Sequence, residues 1–64
     1  QFAKVTEEVN GKEVKVTIEY DDGKNIGTAV GRATSRSTSR SNINIAKSSA
    51  SLQAKGDLAN QFNS

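Results

Sequence analysis

Apolar and polar residues alternate along the first half of the chain. The pattern is clearest in residues 13–21, where the apolar positions are Val14, Val16, Ile18 and Tyr20. A period of two is typical of a β-strand with one buried and one exposed face. Residues before and after this stretch show the same pattern less strictly, so the sequence predicts three strands, over residues 2–9, 13–21 and 25–32.

The first two predicted strands are separated by Asn10-Gly11, the dipeptide most typical of a two-residue β-hairpin turn. A turn formed by these two residues places Val9 opposite Lys12 and Val5 opposite Val16. In that register the apolar residues of both strands share one face of the sheet. The pattern thus predicts an antiparallel hairpin with a defined buried side.

The second turn contains Asp22-Gly23, and the faces of the flanking strands decide its length. A three-residue loop over residues 22–24 places Tyr20 opposite Ile26 and keeps Ile26 and Val30 on the apolar face. A two-residue turn would move both of these side chains to the polar face. The three-residue loop is therefore the favoured prediction, since glycine permits the bulge that it needs.

An imperfect four-residue repeat follows the third strand and supplies three arginines, Arg32, Arg36 and Arg40. A spacing of four brings these side chains to one side of a strand and close to one side of a helix. Serine and threonine fill most positions between them, in a segment that covers residues 33–42. The alternative is a flexible, solvated Ser/Arg-rich linker.

Small apolar side chains then recur four positions apart, at Ala46, Ala50, Ala54 and Leu58. This spacing predicts a helix over residues 43–55, with an N-cap near Ser41 or Asn42 and an end at Gly56. The alanines would allow close packing on the sheet, and residues 57–64 would form a loop or a frayed turn. Two further short strands within residues 42–55 are the alternative.

The predicted fold class is α+β, a three-stranded antiparallel β-meander followed by one C-terminal helix, and an all-β fold is the alternative. The helix is favoured because the apolar face of the sheet needs a cover. The chain has 64 residues and begins without Met. We expect a single small domain or a fragment, which is either a processed product or a piece of a longer protein.

The small size of the chain limits its core, because such a domain buries only about 60% of the surface that its unfolded form exposes. No cysteine is present to add a disulfide, so we expect a homo-oligomer or packing on a larger body. No apolar run reaches the ~20 residues of a membrane helix, and no membrane contact is expected.

Charge is distributed unevenly, although the formal net charge is only +2. Residues 23–55 contain no acidic residue, and the candidate binding side chains in this stretch are Lys24, Arg32, Arg36, Arg40 and Lys47. Arginines separated by serine and threonine offer hydrogen-bond donors to phosphate oxygens. We therefore expect a nucleic-acid partner, with a solvated basic face as the alternative. Aromatic residues are too few for base stacking, which favours a duplex over a single strand.

Catalytic chemistry has few candidate residues in this sequence. Histidine and cysteine are absent, so the common nucleophile and base pairs are missing, and the carboxylates fall mostly at exposed strand and turn positions. The segment from Asp21 to Asn25 is similar to the start of a calcium-binding loop, but it lacks the terminal glutamate and a hairpin turn explains the same residues. We expect no enzyme activity, no cofactor and no metal site.

Four segments carry a resemblance to a known family: Phe2-Ala-Lys-Val5-Thr-Glu-Glu, Val14-Lys-Val-Thr-Ile-Glu-Tyr, Asp22-Gly-Lys and Ile26-Gly-Thr-Ala-Val-Gly31-Arg. Together they resemble the three strands of a double-stranded-RNA-binding domain of the ribonuclease III type. In that family a helix follows whose basic N-terminal residues bind phosphates across the groove, and Ser39-Arg40-Ser41 is similar in outline. The chain departs from the family in lacking its first helix and in carrying extra residues between Arg32 and Ser39.

A structural role is the second functional hypothesis. A small, serine- and asparagine-rich chain with a thin core is also typical of a self-assembling subunit of a filament, a virion or an extracellular assembly, in which strand edges become interfaces. The Arg/Ser repeat would then be a polar ladder or a solvated face.

Overall fold

Three antiparallel strands and one helix make up the fold in the computed structural model, which describes residues 2–63 and omits the side chain of Phe2. The strands are β1 (Phe2–Asn10), β2 (Glu13–Asp21) and β3 (Ile26–Thr34), and the helix is α1 (Arg40–Phe62). The sheet order is β1-β2-β3. The predicted α+β meander is confirmed, and the all-β alternative is wrong.

The β1–β2 hairpin turns one residue later than predicted. Asn10 pairs with Glu13, and the two-residue loop consists of Gly11 and Lys12. Gly11 has a φ of 63°, as the first central residue of a type II′ turn requires, and glycine adopts this φ without strain. Val9 therefore pairs with Val14 rather than with Lys12. The predicted register is wrong by two residues, a shift that leaves every side chain on its predicted face.

The β2–β3 turn contains four residues, 22–25, and Asp21 pairs with Ile26 across it. The predicted three-residue loop is wrong by one residue, and such a shift exchanges the two faces of β3. Tyr20 consequently lies opposite Gly27 rather than opposite Ile26. Ile26 is 73% exposed and Val30 is 37% exposed, on the face of the sheet that lies away from the helix.

Hydrogen bonds from the backbone to two carboxylates hold this four-residue turn. Oδ1 of Asp22 accepts from the amides of Lys24 at 2.9 Å and Asn25 at 2.7 Å, and Oδ1 of Asp21 accepts from the amide of Gly23 at 2.9 Å. The bonds from Asn25 and Lys24 lower the pKa of Asp22, because they stabilise its ionised form. Asp21 and Asp22, the carboxylates of the segment that is similar to a calcium-binding loop, thus accept hydrogen bonds from the backbone of the turn.

The helix-facing side of β3 consists of small residues, Gly27, Ala29, Gly31 and Ala33. Gly31 lies so close to α1 that a Cβ added there would collide with the carbonyl oxygen of Ala50. The helix can approach the sheet this closely only where the strand carries no bulk, which is why Ile26 and Val30 face the other way.

Helix α1 is longer than the predicted 43–55. It begins at Arg40 after the N-cap Ser39, whose hydroxyl accepts from the amide of Asn42 at 3.4 Å, and it continues through Gly56 to Phe62. Gly56 is exposed, and Leu58 beyond it is buried against the sheet. Packing of that last turn outweighs the roughly 1 kcal/mol that a glycine costs inside a helix. The predicted stop at Gly56, and the predicted loop after it, are therefore wrong as far as residue 62.

The core lies between α1 and the strands β2 and β3, and it consists of Val14, Val16, Ile18, Ala29, Ala46, Ala50, Ala54 and Leu58. Tyr20 and Phe62 close one end of it, with their ring centroids 5.4 Å apart. The four helix residues predicted to face the sheet are all in this core, which confirms the predicted helix face. Strand β1 is left largely uncovered by the helix, since Val5 is 54% exposed and Val9 is 46% exposed.

Candidate nucleic-acid interface

Basic residues from three elements lie at one end of the molecule. The amide of Ser35 donates to the carbonyl oxygen of Lys12 at 2.7 Å, and this bond ties the segment after β3 to the β1–β2 turn. Arg36 follows Ser35 directly, and Arg40 is the first residue of α1. We refer to Lys12, Arg36 and Arg40 together as the basic end.

A chain of serine hydroxyls gives the segment between β3 and α1 a defined shape. Ser35 is 5% exposed, and its hydroxyl donates to the carbonyl oxygen of Ser37. The hydroxyl of Ser37 donates to that of Ser39 at 2.9 Å and accepts from Nδ2 of Asn42 at 2.7 Å. Residues 35–39 therefore form a hydrogen-bonded loop, and Arg36 lies within it.

The start of α1 adds to the positive potential of the basic end. The first turn of the helix contains no acidic residue, so the partial positive charge of the helix N-terminus is not neutralised there. Among the residues that the structure describes, neither Arg36 nor Arg40 has a carboxylate within 4.0 Å. Both arginines are exposed residues.

Arg32 lies on a different surface. It projects from the face of the sheet away from α1, directly opposite Lys15 on β2. Lys15 itself forms a salt bridge with Glu8 at 3.4 Å, so this face carries mixed charge. The regular spacing of Arg32, Arg36 and Arg40 does not place them on one strand or one helix, because β3 ends at Thr34 and α1 starts at Arg40.

Lys47 and Lys24 also lie outside the basic end. Lys47 forms a salt bridge with Glu7 at 3.6 Å, on the side of the helix that faces β1. Lys24 is in the β2–β3 turn, at the opposite end of the sheet, where Asp21 and Asp22 precede it. Of the five predicted site residues, the structure thus brings together Arg36 and Arg40.

The sequence pattern does not predict Lys12 as a basic-end residue, although the topology of the sheet indicates its position. In a three-stranded meander the first turn and the exit from the third strand lie at the same end of the sheet. Any basic residue in the first turn is therefore a neighbour of the segment that follows β3.

The chain matches no protein-family model, no curated protein and no solved structure. Among residues 2–63, no helix combines the length and the apolar character needed to cross a membrane. Within the same residues, no group of three or more carboxylates is arranged to hold a metal ion.

Proposed function

We propose that this chain is a small, non-catalytic nucleic-acid-binding module whose basic end contacts the phosphates of a duplex. The observation that supports the proposal is the bond from the Ser35 amide to the Lys12 carbonyl oxygen, because it brings the backbone of Lys12 against the residue that precedes Arg36. Guanidinium groups bind phosphate oxygens through paired hydrogen bonds, and such contacts position a protein on a nucleic acid without reading its sequence.

Two observations favour a duplex as the target. Tyr20 packs against Phe62 beside the core and is not presented as a stacking platform for unpaired bases. The resemblance of residues 2–32 to double-stranded-RNA-binding domains points the same way, since that family uses basic residues at a helix N-terminus and Arg40 occupies that position here. Recognition would then depend on phosphate positions and on the shape of the duplex.

Binding through so few phosphate contacts would be weak and salt-dependent. Non-specific complexes of this kind have dissociation constants of roughly 10⁻⁴ to 10⁻⁶ M at physiological salt. We therefore expect measurable binding mainly at low ionic strength, and similar affinity for duplexes of different sequence.

The test compares two variants that remove the same charge. Fluorescence anisotropy with a labelled duplex RNA would be measured for Arg36→Gln/Arg40→Gln and for the control Lys24→Gln/Lys55→Gln, which leaves the basic end intact. We expect the first variant to bind at least about tenfold more weakly than the wild type, since each lost charged hydrogen bond is worth roughly 1.5–3 kcal/mol, and the control to bind nearly as well. Equal losses in both variants, or no binding by the wild type, would refute the proposal.

A self-assembling structural subunit is the second candidate function, and one observation favours it. Strand β1 lies at the edge of the sheet and its helix-facing side is exposed at Val5 and Val9. Sedimentation at moderate salt, with and without nuclease, distinguishes the candidates: an assembly protein forms a large particle without nucleic acid, whereas the proposed binding module does not.

A further inference from the structure

Strand β1 has a free edge, and the hydrogen bonding elsewhere in the sheet shows which of its residues face outwards. The amide of Arg32 donates to Oε1 of Gln53 at 2.8 Å, so it points away from β2. Lys15 lies opposite Arg32 and must direct its own backbone groups toward β1, where Glu8 is its partner. Glu8 and every second residue of β1 counted from it therefore direct their backbone hydrogen bonds to β2.

The remaining residues of β1 direct their amides and carbonyl oxygens to the free edge, and they are Ala3, Val5, Glu7 and Val9. The side chains of the same four residues lie on the helix-facing side of the sheet. Val5 also lines an apolar groove between β1 and the last turns of α1, together with Tyr20, Leu58 and Phe62. The open edge thus lies beside uncovered apolar surface, the combination that favours pairing with another strand.

The opposite edge of the sheet is occupied by helix side chains. Gln53 accepts from the amide of Arg32, and Nε2 of Gln61 donates to the carbonyl oxygen of Thr28 at 3.2 Å. These two bonds satisfy outward-facing groups of β3 and hold α1 across that edge. A strand that approached β3 would have to displace both glutamines.

We propose that two copies of the chain pair through β1, in antiparallel orientation, with a two-fold axis at Thr6. The two three-stranded sheets then form one continuous sheet of six strands. With the axis at Thr6 all nine residues of β1 are paired, in the order Phe2 with Asn10, Ala3 with Val9, Lys4 with Glu8, Val5 with Glu7, and Thr6 with its own copy. The four outward-facing residues would exchange about eight backbone hydrogen bonds across the axis.

Charge complementarity selects this register over its neighbours. Each Lys4 faces Glu8 of the other copy, and Glu8 already contacts Lys15 at 3.4 Å within its own chain, so each glutamate lies between two lysines. An axis at Glu7 would place two Glu7 side chains opposite each other, and an axis at Val5 would lose both Lys4–Glu8 pairs. Opposite charges across a strand pair stabilise it, and like charges destabilise it.

The assembly closes at two copies, because the interface uses the β1 edge of both copies and Gln53 and Gln61 lie across the β3 edge. An isologous interface of this kind does not propagate into a filament. The inference concerns a surface away from the basic end and does not depend on nucleic-acid binding.

The first test is the mass of the full chain, 6.8 kDa per copy, by sedimentation equilibrium over a range of concentrations. We expect a monomer–dimer equilibrium for the wild type. Lys4→Glu alone and Glu8→Lys alone should each weaken dimerisation roughly tenfold, since each places like charges opposite one another twice. A mixture of the two variants should restore the dimer, and the control Lys24→Glu should leave it unchanged. A monomeric wild type at every concentration would overturn the proposal.

The second test locates the axis and exploits the absence of native cysteine. In the proposed register, the Thr6 Cα atoms of the two copies lie about 4.5 Å apart, within the range of a disulfide, about 4.4–6.8 Å. Thr17, the neighbour of Thr6 on β2, would lie about 14 Å from its copy. Thr6→Cys should therefore form disulfide-linked dimers under mild oxidation, whereas the control Thr17→Cys should not. Equal cross-linking of the two variants would overturn the proposed axis.

Discussion

Gly31 on β3 and Ala50 on α1 meet backbone to backbone, with no room for a side chain at position 31. A Cβ built on Gly31 would overlap the carbonyl oxygen of Ala50 and would lie 3.0 Å from the amide nitrogen of Ala54. This contact sets the distance between helix and sheet, and through it the face of β3 that is buried.

Gly31→Ala should destabilise the protein by roughly 1–3 kcal/mol, the usual cost of adding atoms to a closely packed interior. The added methyl group meets backbone atoms, which cannot rotate away as a side chain can. Urea denaturation followed by far-UV circular dichroism measures the effect. An unchanged midpoint would show that the helix does not lie on Gly31 as described.

Gly56→Ala provides the opposite case within the same helix. An added Cβ at Gly56 meets nothing within 4 Å, and alanine is favoured over glycine in a helix interior by roughly 0.5–1 kcal/mol. We expect this variant to unfold at a higher urea concentration than the wild type. A loss of stability would mean that α1 ends before Gly56, as the sequence pattern alone suggests.

Ser39→Ala should destabilise the start of α1 by about 1 kcal/mol, the typical cost of losing an N-cap. The hydroxyl of Ser39 accepts from both the amide and Nδ2 of Asn42, and alanine can replace neither bond. Ser48→Ala, at an exposed position inside the helix, is the control and should be neutral or slightly stabilising. Equal thermal stability of the two variants would contradict the assigned cap.

The Asp22 turn predicts a dependence of stability on pH. Its pKa is lowered by the backbone bonds from Asn25 and Lys24, so the folded state holds the carboxylate ionised at a pH where the unfolded chain binds a proton. This contribution is present above about pH 4 and is lost as the pH falls through the folded-state pKa. Thermal melts from pH 7 downwards should show that the stability advantage of the wild type over Asp22→Asn shrinks in acid. A constant difference at all pH values would contradict this role.

The sequence predicts the elements of the fold better than their registers. The alternation at Val14, Val16 and Ile18 identifies β2 correctly, because one buried face is enough to produce it. The predicted β3 register is wrong because it buries Ile26 and Val30, which lie on the exposed face of the sheet. The helix instead requires the small residues Gly31 and Ala29 beneath it. This constraint comes from tertiary packing and cannot be read from the sequence of the strand alone.

For the candidate site too, the local sequence pattern predicts some positions, and the tertiary arrangement decides the others. The spacing predicts Arg36 and Arg40 as binding residues; both lie at the basic end, and their contact with a nucleic acid stays a prediction. Arg32 shares that spacing but belongs to a strand whose outer face it occupies, so the period of four has no geometric meaning across the change from β3 to loop to helix. Lys12 lies at the basic end because of the meander topology rather than any local pattern, and Lys47 lies elsewhere, in a salt bridge with Glu7, which is distant in sequence.

The salt dependence of duplex binding tests the central functional claim most directly. The observed association constant falls with salt at a logarithmic slope of about −0.9 for each phosphate contacted on B-form DNA. If Lys12, Arg36 and Arg40 each contact one phosphate, the wild type should show a slope of about −2.7 with duplex DNA, and Arg36→Gln/Arg40→Gln a slope of about −0.9. The control Lys24→Gln/Lys55→Gln should retain the wild-type slope. The same slope for the wild type and the arginine variant would contradict the proposed interface.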